Sequence, residues 1–169
     1  LERVTIEASN SKVSRVVVII SKGDIEKRKV LRRFPVSIIE CNDLSGGMSA
    51  SIRCGVKALF KSVPGVIIAL GDMPKIKAEH YNRLLCEFAL CRNERIFRSM
   101  SSTNGFGNPV LFDKIYFKDL ESLHGDLGAK FLIEKENKFV KNIHLPSDFA
   151  TFDVDTPQAW NNWITYDSR

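Results

Sequence analysis

The run Val66-Ile67-Ile68-Ala69-Leu70 leads straight into Gly71-Asp72-Met73-Pro74. An unbroken apolar run predicts a strand buried on both faces, Gly71 a sharp turn, and Asp72 a lone carboxylate at the strand's C-terminal end. In open α/β sheets that edge is where ligands bind. An aspartate there is well placed to hold a divalent cation on phosphate oxygens. The same residues equally fit a plain strand-to-helix turn with Asp72 at the helix entry.

Three other turns carry comparable residues: Gly47-Met48-Ser49-Ala50-Ser51-Ile52-Arg53-Cys54-Gly55, Gly105-Phe106-Gly107-Asn108-Pro109-Val110 and Asp153-Val154-Asp155-Thr156-Pro157. In the first, small residues let the backbone approach a ligand, and N–H groups at a helix start can meet a phosphate or a base edge. Ser49 and Ser51 add hydroxyls, and Arg53 could reach a phosphate. An ordinary capped helix accounts for the same residues. Asp72 and Asp155 are the two carboxylates best placed to share a metal, and magnesium on a nucleoside triphosphate usually takes only one or two protein carboxylates. Simple helix capping before Thr156-Pro157 also fits Asp155, and a surface charge fits Asp153. The glycines beside Phe106 and Asn108-Pro109 suggest a loop that packs against a flat or extended substrate. His80, His124 and His144 have no metal spacing and read as surface or core residues.

These turns must be carried by elements that the pattern also predicts. Residues 1–9 read as a helix, and Val16–Ile20 as a doubly buried strand. A helix capped by Asp24 runs to about Phe34, where Pro35 ends it. Val36–Glu40 is a short strand and Cys41–Met48 a loop. A helix over Ser49–Lys61 turns Ile52, Val56, Leu59 and Phe60 inward. Lys77–Cys91 is helical, Arg95–Met100 a strand, Ser101–Gly107 a loop, and Pro109–Phe112 extended. A helix over about Lys114–Leu123, the turn Gly125–Gly128 and a helix from about Ala129 follow. Phe139–His144 and Ala150–Phe152 read as strands. Thr156 then caps a last helix with Pro157 in its first position. Alternation of strand and helix argues for a mostly parallel sheet covered by helices on both faces, in one α/β domain spanning 1–169.

With 169 residues, 44% hydrophobic and 27% charged, the chain has the length and composition of a single globular domain. Its apolar runs are far too short to span a bilayer, and no signal-peptide pattern is present. The net charge of +5 suits a polyanionic ligand such as a nucleotide. Part of it, at Lys22, Lys27, Arg28, Lys29, Arg32 and Arg33, reads as a solvated helix face. No basic stripe studded with aromatics points to nucleic acid. Cys41, Cys54, Cys86 and Cys91 form no CxxC pair and read as free thiols of a cytoplasmic protein.

Taken together the turns resemble the molybdopterin nucleotidyltransferase family, enzymes that add CMP or GMP to molybdenum cofactor. The pieces, in order, are Gly47 to Gly55, Gly71-Asp72-Met73-Pro74, Gly107-Asn108-Pro109-Val110-Leu111-Phe112, Leu123-His124-Gly125-Asp126-Leu127-Gly128-Ala129 and Asp153-Val154-Asp155-Thr156-Pro157. The Ser-Ile-Arg-x-Gly and Gly-Asn-Pro-Val-Leu-Phe forms are closer to the cytidylyltransferase branch. The resemblance implies a Rossmann-like nucleotidyltransferase fold, with Mg2+ on Asp72 completed by Asp155. It places Gly47, Ser49, Ser51 and Arg53 at the nucleotide, and Gly107, Asn108 and Pro109 at the pterin. The implied reaction is attack of the molybdopterin phosphate on the α-phosphate of CTP, or GTP, with release of pyrophosphate. Implied partners are a molybdoenzyme or a preceding cofactor-biosynthesis domain, and no nucleic acid or membrane.

The chain departs from the family in one respect. A first strand and a glycine-rich loop of the form Leu-Ala-Ala-Gly-x-Ser-x-Arg-Met-Gly-x-x-Lys, which wraps the triphosphate through backbone N–H groups, have no counterpart here. The expectation is a fold lacking one central strand and a chain with little transferase activity alone. Rival readings are a nucleotidyltransferase with another acceptor, such as a sugar phosphate, a glycosyltransferase using Asp153-Val154-Asp155, and a non-catalytic remnant.

Overall fold

In the computed structural model, which describes residues 1–42, 46–59, 63–103 and 105–167, strand and helix alternate nearly as the pattern predicts. The order is α1 (Glu2–Ser9), β1 (Val17–Ser21), α2 (Ile25–Leu31), β2 (Ser37–Cys41), α3 (Gly47–Lys57), β3 (Gly65–Ile68) and α4 (Ala78–Leu90). Then come β4 (Ile96–Ser101), β5 (Gly105–Asp113), α5 (Phe117–Glu121), α6 (Lys130–Lys135), β6 (Val140–Leu145) and α7 (Pro157–Asp167). Local chemistry sets several boundaries. Asp24 accepts from the Lys27 N–H at 3.0 Å, capping α2. Thr156 Oγ1 accepts from the Ala159 N–H at 3.1 Å ahead of α7, whose first residue is Pro157. His80, 3% exposed, accepts the Lys77 N–H on Nδ1 and closes the start of α4, so it is a core histidine held neutral by burial.

The strands form two hydrogen-bonded sheets, a parallel β1-β2 pair and a four-stranded sheet ordered β3-β5-β4-β6. β5 runs antiparallel to both β3 and β4, and β6 runs parallel to β4. It follows that β3, β4 and β6 all point the same way, and only β5 is reversed. Among the described residues β1 and β3 do not pair, and the two sheets are separate.

Two apolar clusters fill the space on either face of the larger sheet. Ile96, Val110 and Phe112 pack under Ile52 and Val56 of α3, Leu120 of α5 and Leu132 of α6. Phe97 and Leu111 face Tyr81 and Leu84 of α4, with Met73, Ile143 and Leu145 beside them. Burial of these side chains, at about 25 cal/mol per Å² of apolar area removed from water, holds the helices to the sheet.

Three predicted elements differ. Ser101–Gly107 is not all loop, because β5 starts at Gly105 and pairs back on β4 through Ser101↔Gly105 and Met100↔Phe106. The glycines that suggested a loop serve a hairpin instead. Ala150–Phe152 is a turn, its Thr151 and Phe152 N–H groups both donating to the Asp148 carbonyl at 2.9 Å rather than to a strand. β3 stops at Ile68, leaving Ala69 and Leu70 outside the ladder. Phe60 and Lys61, expected in the α3 helix, lie outside the described residues.

Half of the basic cluster is paired with neighbours: Lys27 with Asp24, Arg28 with Glu40 and Arg33 with Glu2. Such exposed pairs contribute little stability, but they answer the charges of Lys27 and Arg28 on α2. No helix among the described residues is long and apolar enough to cross a membrane.

Candidate active site

Asp72 and Asp155 stand about eighty positions apart in the chain and meet in the fold. β3 delivers Asp72 to the edge where the parallel strands end. The segment between β6 and α7 returns to it: the Val154 N–H donates to the Asp72 carbonyl at 3.0 Å. Lys75, two residues past Met73, clamps the same segment. Its Nζ lies 2.8 Å from both Asp148 carboxylate oxygens and 3.7 Å from the Phe152 ring centroid.

The two carboxyls are within hydrogen-bonding reach of one another. Burial, followed by the contact with Asp155 and the charge of Asp153, raises the Asp72 carboxyl above the ordinary carboxylate range. Among the described residues Asp72 Oδ1 is buried with no hydrogen-bond partner. A buried, unpartnered oxygen costs free energy unless a proton or a cation meets it. Hard oxygen donors of this kind suit Mg2+ or Mn2+. Among the described residues no third His, Cys, Asp or Glu joins them to make a protein-only cage. A divalent cation therefore fits the pair only with the rest of its shell coming from ligand or water.

The α3 start is built against the Gly125–Gly128 turn. Gly47 has a φ of +62°, and a Cβ on it would overlap the Asp126 side chain. Arg53 Nη1 donates to the Leu123 carbonyl, tying α3 to the same turn. Ser49 is fully buried and Ser51 half-buried. Gly107 lies so close to the Ala150 carbonyl that no side chain fits there, and the Asn108 N–H donates to that carbonyl at 2.9 Å. Pro109 is fully buried behind them, its carbonyl accepting from Ser99 Oγ at 2.7 Å.

A cavity of about 880 Å³ joins three of these motifs, taking Met48 and Ile52 from α3, Gly107 and Asn108 from β5, and Leu127 and Ala129 from the turn before α6. Asp72 and Asp155 line neither it nor the smaller cavity of about 540 Å³ beside Gly71 and Val154. The fold thus brings Asp72 and Asp155 together and sets Gly107 and Asn108 in the wall of the larger cavity, whereas Gly47, Ser49, Ser51, Arg53 and Pro109 line neither cavity. Arg98 and Phe106 in the cavity wall, Lys75 on Asp148 and Asp126 against Gly47 were not singled out as site residues from the sequence. Arg98 had a readable signal, a charge directly after the apolar pair Ile96-Phe97 in a predicted strand.

Comparison with known proteins agrees with this architecture. Residues 1–140 match the model of the MobA-like NTP transferase domain. The purine catabolism protein PucB of Bacillus subtilis is 28% identical over 127 residues, 74% of this chain and 60% of that protein, so the chain spans about 60% of the length of this curated relative. A mycobacterial homologue of Rv0371c superposes with a TM-score of 0.86 at 24% identity, covering 99% of this chain and 82% of that one. Rv0371c of Mycobacterium tuberculosis in complex with manganese gives 0.82 at 18% identity, with 97% and 86% covered. The 4-diphosphocytidyl-2C-methyl-D-erythritol synthase of Anaerococcus prevotii gives 0.76 at 16%, with 99% and 86% covered. These last three share the fold. With the family model spanning most of its length, and with the strand order and motif turns described above, the chain belongs to the MobA-like NTP transferase domain family.

Proposed function

We propose that the protein is a nucleotidyltransferase that moves CMP from CTP to molybdopterin with release of pyrophosphate, its divalent cation, Mg2+ or Mn2+, held by Asp72 and Asp155. The observation that carries this reading is the contact between those two carboxylates at the edge where β3, β4 and β6 end, with Asp72 Oδ1 buried and unpartnered. When bound, the metal neutralises charge on the phosphates. The chain's own part is positional. Lys75 and the Val154–Asp72 hydrogen bond hold the two carboxylates in register. The α3 start, with Gly47, Ser49, Ser51 and Arg53, lies toward the nucleotide, and Gly107 and Asn108, backed by Pro109, toward the acceptor. Alignment of two bound phosphates supplies most of such a rate without covalent chemistry on the protein. The manganese in the Rv0371c structure and the cytidylyl chemistry named for the A. prevotii enzyme support the same reading. Transfer to another phosphorylated acceptor, or of GMP, is the neighbouring alternative.

Mn2+ binding read by electron paramagnetic resonance, with and without CTP, tests the site, and pyrophosphate release tests the reaction. Asp72→Asn should weaken Mn2+ binding and abolish any release seen with the parent, by on the order of 100-fold. Unchanged Mn2+ affinity in Asp72→Asn, or release of a nucleoside diphosphate instead of pyrophosphate, would overturn the reading.

A further inference from the structure

Paired residues across the larger sheet fall in rows. Val66, Phe112, Ile96 and Val140 form one row, apolar throughout and packed in the core. Two residues along each strand, toward the edge of Asp72, the next row on the same face is Ile68, Val110, Arg98 and Asn142. Here β4 and its neighbour β6 switch from apolar to polar while β3 and β5 stay apolar, and all four side chains line the 880 Å³ cavity. A volume of this size holds a small organic ligand.

Arg98 is held with care. Its Nε and Nη2 both donate to Asn142 Oδ1, at 3.1 and 3.0 Å, and its guanidinium carbon sits 3.5 Å from the Phe106 ring centroid. Bonding through Nε and Nη2 leaves the Nη1 edge of the fork for another acceptor. Among the described residues no carboxylate lies within ion-pairing distance of it. Burial lowers its pKa, while the charge of Glu134, which lines the same cavity from α6, acts the other way. A half-buried guanidinium without a paired carboxylate, oriented by Asn142 on one edge and Phe106 on its face, is set to receive an anion at its remaining edge. Beside it the lining is apolar at Ile68, Val110, Phe112 and Ile133, and Asn108 and Asn137 add amides.

We propose that this cavity is the acceptor pocket and that Arg98, braced by Asn142 and stacked on Phe106, binds the anionic group of a flat heterocyclic acceptor. The flat apolar sheet face takes the ring, the amides of Asn108 and Asn137 take its polar edge, and the guanidinium takes phosphate or carboxylate. Assignment of the occupant as acceptor rests on the nucleotidyltransferase reading; the anion site itself does not.

Fluorescence titration of the full chain with pterin-6-carboxylate tests it, with uncharged 6-hydroxymethylpterin as the second probe. The parent should bind the carboxylate saturably. Arg98→Gln should weaken that binding roughly 10- to 100-fold, the range for a charge-assisted hydrogen bond, and leave the uncharged probe little changed. Glu134→Gln, a change at an exposed α6 position, should tighten carboxylate binding. A melting profile like that of the parent confirms that Arg98→Gln folds, and the Glu134→Gln readout stands whether or not it does. Asp72→Asn should lose Mn2+ and keep the pterin. Arg98-dependent pterin binding alongside absent Mn2+ binding would defeat the nucleotidyltransferase reading and uphold the anion site. No saturable binding to the parent, or equal carboxylate affinity in the parent and Arg98→Gln, would overturn the proposal.

Discussion

Asp72 shows what a single residue concedes for a site. Its carboxyl is raised by burial and by Asp155, so its charged form is less favourable in the folded chain than in the unfolded one. The sign follows from proton linkage. Below the ordinary carboxylate pKa of 3.8 the group is protonated in both states and its contribution is intact; as pH rises through the elevated folded value, stability is lost. In EDTA, Asp72→Asn should therefore melt above the parent at pH 7, and the difference should shrink toward pH 4. Thermal melts at the two pH values check this, and a variant melting below the parent at pH 7 would contradict it. Added Mn2+ should raise the melting temperature of the parent and not of the variant. Gain of stability on removing a functional carboxylate is the usual trade at such sites.

At the scale of elements, two segments distant in the chain build the carboxylate pair, and Lys75 joins them. It is only about one-sixth exposed (16%), and both oxygens of Asp148 lie at 2.8 Å from it. Lys75→Met keeps the stem over Phe152 and removes the charge. Mn2+ affinity should then fall on the order of 10-fold, as it does when a group orienting a metal ligand is lost, although Lys75 would touch no metal. Titration of Mn2+ into Lys75→Met decides this, and an affinity equal to that of the parent would mean that Val154 alone holds the register. The hairpin of β4 and β5 has a similar role for the cavity. It sets Phe106 over Arg98, so the residues read as a substrate loop are placed by a strand pairing.

Over the whole molecule, the larger sheet carries helices on both faces, and Phe97, with no exposed surface, fills the side covered by α4, its ring 5.8 Å from that of Phe88. Phe97→Ala should cost about 3–5 kcal/mol in urea unfolding; a loss below about 1 kcal/mol would show that the layer can collapse onto the space. Much of this plan was legible beforehand. Apolar runs at Val17 and Val66, the 3.6-residue spacing of Ile52 and Val56, the Asp24 and Thr156 caps and the Pro157 start are local signals, and local backbone and side-chain chemistry suffices for them. The Asp72 turn was legible for the same reason. Only tertiary structure decided that β5 reverses, that Gly105 opens a strand, that residues 150–152 turn, and that Asp72 touches Asp155 while Arg98 lies on Phe106. A strand's direction and register come from the partner it pairs with, and a carboxylate or guanidinium finds its neighbour across many residues of chain. Neither is written in the few residues around it.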